Sequence, residues 1–168
     1  MSIDILTRLK NGERQSQNEL YIGYKDAIYT LCIRITGDRL DAEDVLQMTF
    51  LEVFKSIKNF EGRSSIYTWI RSIAVRQCYK LLQHRGKVFE PIAHIQEEIE
   101  EDPPSFESKD ALQIAFNQLS AGYRTVLTLY YIEDMSHIEI SEQLGITVGT
   151  SKSQLFHAKK KLKELLEK

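Results

Sequence analysis

Cysteine is scarce in this chain of 168 residues: Cys32 and Cys78 are the only two. They lie far apart and form no metal-spaced pair, so two reduced thiols in a cytoplasmic protein are expected. The four histidines, His84, His94, His137 and His157, do not cluster at ligand spacing with cysteines or acids, which speaks against a metal site. There is no glycine-rich phosphate loop and no other catalytic constellation, so no enzyme, cofactor or small-molecule substrate is expected. No apolar run approaches the length that spans a bilayer, and the start MSIDILTRLKNGER lacks the apolar region of a secretory leader. Direct membrane insertion is therefore not expected. Strand-like alternation is rare, and no repeat of 20–50 residues is present.

What is present reads as a globular protein, with 42% hydrophobic and 27% charged residues. The net charge of −2 conceals an uneven distribution. Residues 1–86 carry net +3, residues 87–110 net −6 and residues 111–168 net +1. The acidic stretch KVFEPIAHIQEEIEEDPPSFESKD also holds all three prolines, Pro91, Pro103 and Pro104, and the last two would break any helix running through them. It marks a flexible acidic linker between two mildly basic blocks, a charge pattern compatible with nucleic acid.

Both blocks have helical periodicity. In the first, Leu20, Tyr24, Ala27, Ile28, Leu31 and Ile35 recur at helical spacing. Asp41 stands where an N-cap belongs, ahead of a helix with Val45, Phe50, Val53, Phe54 and Ile57 as buried positions. The loop NFEGRSS follows, and then a helix with Ile66, Ile70, Ile73, Ala74 and Leu81 near one face, stopped at Gly86. In the second block, ALQIAFNQL and YRTVLTLYYIE form two helices. Ser136 and Glu139 form a capping box opening SHIEISEQL, Gly145 suits a left-handed turn, and Thr147 or Thr150 caps a final basic helix. Helix, glycine turn and helix of these lengths make a helix-turn-helix. The expected fold is all-α: two small helical domains, 1–86 and 108–168, joined by the linker 87–107.

The final helix has Leu155, Ala158, Leu162, Leu165 and Leu166 as its apolar stripe. Lys152, Ser153, Gln154, Phe156, His157, Lys160 and Lys161 lie off it to varying degrees. Early donors, acceptors and an aromatic suit base edges, and later lysines suit phosphates. A membrane-surface helix would carry a larger apolar face and no preceding turn helix. A DNA-reading helix and a solvated basic helix remain, and the spacing favours the first.

The motifs resemble those of a known family. DAEDVLQMTFLEVF followed by NFEGRSSIYTWIRSIAVRQ, and LSAGYRTVLTLYYIEDMSHIEISEQLGITVGTSKSQL, are similar to two segments of bacterial extracytoplasmic-function (ECF) sigma factors of the sigma-70 family. The order and the intervening linker match as well. The resemblance implies a subunit that binds core RNA polymerase and directs promoter recognition, with promoter DNA and an anti-sigma factor as partners. The other reading is a stand-alone helix-turn-helix regulator that binds duplex DNA unaided.

Residue by residue, the resemblance puts Asp44, Gln47 and Phe50 in the helix that grips the polymerase clamp. Phe50 taken alone reads better as core. The minus-10 element would meet Phe60, Arg63, Ser64, Ser65, Tyr67, Trp69, Arg76 and Lys80, with Arg71 and Arg85 as further cations. Melted bases need aromatic faces, and the backbone needs cations; Trp69 serves equally as a core anchor. Arg76 and Lys80 replace a small amide and an acid in the family pattern, which puts the usual minus-10 preference in doubt. The minus-35 element would meet Thr150, Lys152, Ser153, Gln154, Phe156, His157 and Lys160. Gln154 and His157 stand where arginine is common, which suggests a shifted minus-35 preference. Ser151 replaces a usual valine and should loosen the helix-turn-helix slightly. The acids Glu97, Glu98, Glu100, Glu101 and Asp102 would either enter the polymerase RNA channel or remain solvated.

Overall fold

Glycine and short polar side chains mark where each helix stops and the next begins. The structure, a computed structural model, describes residues 3–86 and 109–167. Every regular element among them is helical, with no strand, so the fold is all-α. The chain divides into two compact units, Met1–Leu81 and Leu82–Lys168, the division falling in the last turn of the fourth helix. The acidic segment 87–107 and its carboxylates lie outside the described residues.

The first unit contains α1 (Ile3–Lys10), α2 (Arg14–Thr36), α3 (Arg39–Ser56), a 3-10 turn (Ile57–Asn59) and α4 (Ile66–His84). Between α1 and α2, Arg8 grips Glu13 through two bonds of 2.8 and 2.7 Å. That guanidinium holds the exposed Glu13 carboxyl below its ordinary value. Gly37 ends α2 in the left-handed conformation (φ 73°). The next residue, Asp38, caps α3 by accepting from the Asp41 amide at 3.0 Å. The cap is therefore Asp38, not Asp41. Asp41 falls three residues into the helix, where an acid complements the dipole.

A two-residue connection between helices this long folds α3 back along α2, and the two pack extensively. Leu20, Ile28, Leu31 and Ile35 of α2 and Ala42, Val45, Phe50 and Val53 of α3 are buried. On α4 the buried row is Ile66, Ile70, Ile73, Ala74, Cys78 and Leu82. Steps of three and four carry that row to Leu82, and Leu81, expected on this face, is half-buried. Each fully buried Leu or Ile contributes roughly 1.5–3 kcal/mol relative to exposure. The Cys32 and Cys78 thiols meet between α2 and α4 in a hydrogen bond, and this bond together with burial pushes the Cys78 thiol well up. In this first unit buried hydroxyls are satisfied locally: Thr36 donates to the Cys32 carbonyl at 2.9 Å and Thr49 to the Val45 carbonyl at 2.7 Å.

The second unit contains α5 (Lys109–Gln118), α6 (Ala121–Leu127), a π turn (Thr128–Ile132), α7 (His137–Leu144) and α8 (Val148–Leu166). Ser120 caps α6, and the buried Arg124 donates to the Leu119 carbonyl, fastening α6 to the end of α5. The π turn closes through Glu133 N–H to the Thr128 carbonyl at 3.0 Å. Both halves of the Ser136–Glu139 capping box form. Gly145 takes the left-handed conformation expected of it (φ 67°). Thr147, rather than Thr150, caps α8 by accepting from the Thr150 amide at 3.0 Å. Helix α8 packs against α5, α6 and α7, and so forms the spine of this unit.

Candidate nucleic-acid interface

Helical geometry separates each candidate helix into a row that must face the core and a row left for partners. On α8 the buried residues are Ser151, Gln154, Leu155, Ala158 and Leu162, successive members of one face. The opposite face is centred on Gly149, Ser153, Phe156 and Lys160, with Lys152 and Lys163 beside it. Lys152, Lys160 and Lys163 are exposed, while Ser153 and Phe156 are half-buried.

Two expectations for this helix change. Gln154 is 2% exposed. It stands three residues after Ser151 and four before Ala158, within the core row, and the structure withdraws it from the base-reading set. Thr150 is half-buried, and its hydroxyl bonds that of Thr147 at 2.8 Å, so it serves the cap. His157 is half-buried, edge-on to Phe156 with centroids 5.4 Å apart. Its Nε2 is shielded from solvent and has no hydrogen-bond partner among the described residues.

Ser151 is fully buried, and its hydroxyl meets His137 Nδ1 at 2.9 Å, which of the two donates depending on the imidazole tautomer. His137 in turn stacks on Tyr130, with centroids 4.8 Å apart and planes 27° from parallel. A polar bridge thus joins the two helices of the helix-turn-helix where apolar packing was expected. The sequence reading missed His137 because it lies fourteen residues from Ser151. A buried serine on an otherwise apolar face was the available signal.

In the first unit, the loop before α4 is set by Gly62 (φ 76°). Ser65 accepts from the Thr68 amide at 3.0 Å and so caps α4. Phe60 is 6% exposed, with its ring 5.2 Å from that of Trp69. It is a core residue, and its faces are not offered to unstacked bases. Arg63 and Ser64 are exposed, with Arg63 paired to Glu61. Trp69, Arg76 and Lys80 share one outward row of α4 with Ser72 and Gln83. Trp69 is half-buried, Arg76 and Lys80 are exposed, and Arg76 Nε donates to the Ser72 carbonyl at 3.3 Å. Tyr67 lies on another side, stacked on Tyr24 with centroids 6.3 Å apart. The structure therefore brings three of the eight minus-10 candidates onto one row.

On α3, Asp44 and Gln47 are exposed and Phe50 is buried against Tyr21 and Phe54. Phe50 is thus core, as its own pattern suggested, and is not a surface contact. Beside Asp44 and Gln47 lie Leu40 and Leu51, each 71% exposed, and Met48 at 52%. These apolar residues were missed, although steps of four, three and four link 40, 44, 47 and 51 off the buried row. Exposed apolar residues grouped in one strip make it a candidate partner surface.

Among the described residues, no group of three or more His, Cys, Asp or Glu side chains could hold a metal ion, and no helix is long and apolar enough to cross a membrane.

Comparison with known proteins gives the same two-part division. The family model for sigma-70 region 2 matches residues 20–88, and that for sigma-70 region 4 matches residues 109–162. The chain is 28% identical to the ECF RNA polymerase sigma factor SigW of Bacillus subtilis, over 96% of this chain and 94% of that one. It is 27% identical to the RNA polymerase sigma-H factor of Pseudomonas aeruginosa, over 97% and 92%. In fold it is similar to the sigma factor RpoE from Bartonella quintana, solved in complex with the anti-sigma factor NepR. The TM-score is 0.64 at 24% identity, over 89% of this chain and 96% of that one. Two sigma-70 regions in their family order, and relatives matched over nearly their whole length that are RNA polymerase sigma factors, SigW among them of the ECF type, show that this chain belongs to the sigma-70 family as an RNA polymerase sigma factor of the ECF type.

Proposed function

We propose that this sigma factor divides promoter recognition between its two helical blocks, 1–86 and 108–168, with segment 87–107 as the connection. The outward row of α4, with Trp69, Arg76 and Lys80, takes the melted minus-10 strand, helped by Arg63 and Ser64 in the preceding loop. The half-buried Trp69 indole supplies the aromatic group for stacking, and the cations track the backbone. The outward face of α8 enters the major groove of the minus-35 duplex. There Ser153 and Phe156 meet base edges, and Lys152 and Lys160 meet phosphates. The strip of Leu40, Asp44, Gln47, Met48 and Leu51 on α3 holds core polymerase.

The observation that carries this reading is the clustering of exposed cations and polar groups on the one face of α8 that its packing leaves open. Arg76 and Lys80 in place of an amide and an acid point to a minus-10 preference of its own. Because the Bartonella quintana relative was solved with an anti-sigma factor, a protein inhibitor that covers these faces is proposed here also. Action in the cytoplasm accords with two buried, reduced thiols.

The test is transcription in vitro with purified core polymerase on a library randomised at both promoter elements, with the transcripts sequenced. A selected pair of elements at fixed spacing is expected. Absence of core binding and of transcripts on every template refutes the reading, and tight sequence-specific binding to duplex DNA by the protein alone replaces it with the stand-alone regulator. Lys152→Ala should lower activity on minus-35-dependent templates and leave core binding intact.

A further inference from the structure

Glycine is the poorest helix former after proline, so a helical glycine calls for a reason. Five of the eight glycines, Gly12, Gly37, Gly62, Gly86 and Gly145, have positive φ and are explained by their turns. Gly149 is not. It lies inside α8 with ordinary helical backbone and is exposed. A Cβ added there would meet only the Thr147 hydroxyl oxygen, at 3.8 Å, an ordinary van der Waals contact. Neither conformation nor internal packing requires glycine at this position. Alanine would fit the folded chain and favour the helix.

Gly149 stands on the same outward face as Ser153, Phe156 and Lys160, two residues into the helix. The exposed Lys152, Lys160 and Lys163 border this face, so its occupant is anionic. A recognition helix reads DNA mainly with its N-terminal residues. We propose that Gly149 is the closest-approach point of the minus-35 duplex: the bare backbone lets the DNA seat against α8 at a depth that any Cβ would prevent. The inference rests on the proposed minus-35 reading. It makes Gly149 a specificity-determining position without a side chain, with the seating depth bringing Ser153 and Phe156 within reach of base edges.

The test compares Gly149→Ala with Gly23→Ala, each in full-length protein assembled with core polymerase. Gly23 is the matched control: it is helical, exposed on α2, and has nothing within 4 Å of an added Cβ. The probe is a promoter duplex selected by the wild-type holoenzyme, against the same duplex with its minus-35 element scrambled. Neither variant should be less stable than wild type: hydrogen exchange should be slowed in the α8 amides of Gly149→Ala and in the α2 amides of Gly23→Ala. Gly149→Ala should bind the selected promoter about tenfold more weakly, the loss of one good base contact, with its preference over the scrambled duplex reduced by the same factor. Gly23→Ala should match wild type. Gly149→Ser should behave as Gly149→Ala does. Binding of Gly149→Ala within twofold of wild type overturns the inference while leaving the minus-35 reading intact. Weakened binding to core polymerase by this variant also overturns it, by placing a protein surface against Gly149. A wild-type holoenzyme that does not discriminate the scrambled duplex refutes the minus-35 reading itself.

Discussion

Removing the Ser151 hydroxyl tests whether a polar bridge sets the helix-turn-helix. Ser151 is fully buried, and its hydroxyl meets His137 Nδ1 at 2.9 Å. In Ser151→Ala the half-buried imidazole can turn to water, so the loss is close to the net worth of one hydrogen bond, about 1 kcal/mol. In His137→Ala the buried hydroxyl loses this partner and Tyr130 loses the ring stacked at 4.8 Å. Desolvation and lost stacking together put that cost at about 2–3 kcal/mol. The double variant should cost less than the sum, with a coupling of about 1 kcal/mol, because the hydrogen bond is counted in both single changes. The chain has two units, so one melting curve would mix them. Hydrogen exchange of α7 and α8 amides in the full chain reads the second unit alone. Additive single effects, with coupling below about 0.3 kcal/mol, would refute the bridge as an energetic link. Ser151→Val restores the family's apolar residue but leaves His137 facing a methyl group. It should therefore stabilise only when combined with replacement of His137.

Gln154→Ala should destabilise α8, read by the same exchange measurement, by about 1–3 kcal/mol while leaving the selected minus-35 sequence unchanged; a changed preference at any single base pair would return Gln154 to the reading set. Leu40→Asp with Leu51→Asp should weaken core polymerase binding at least tenfold with a stability change within about 0.5 kcal/mol, since both side chains are exposed. Undiminished core affinity, measured by competition with another sigma factor, removes this strip from the interface. The Cys32 hydrogen bond and burial raise the Cys78 thiol, so its neutral form is favoured in the folded state. The resulting stabilisation is fully present below the unfolded thiol value and is lost as pH rises through the folded one. Neither thiol should react with iodoacetamide near neutral pH until the protein is unfolded, and rapid labelling of native protein would contradict this.

Features that depend on a few consecutive residues were legible in the sequence. The capping box of Ser136 and Glu139, the left-handed stops at Gly86 and Gly145, and the cap of α8 within the Thr147–Thr150 pair are local hydrogen-bond or φ requirements. Helical periodicity placed most of the core, and two motifs in order placed the family. Where local rules offered neighbouring solutions, the sequence could not choose. Asp38 and Asp41 both suit a cap, and the choice fell to Asp38 because Gly37 closes α2 immediately before it. Leu81 and Leu82 both suit a buried row, and the four-residue step from Cys78 selected Leu82.

The partner face was decided by tertiary structure alone. Residue type suggested that Gln154 and Phe60 meet nucleic acid, since one can pair with adenine and the other can stack. Both are buried instead, Gln154 in the core row of α8 and Phe60 beside Trp69. Leu40, Met48 and Leu51 had the residue types of a core and are exposed. A side chain's chemistry is carried by its own atoms, but whether that chemistry faces a partner depends on which neighbours occupy the other side of its helix. Those neighbours come from distant parts of the chain, as His137 does for Ser151. The sequence alone determined the helices, their ends and the family; packing determined which row of each helix remains open to polymerase and DNA.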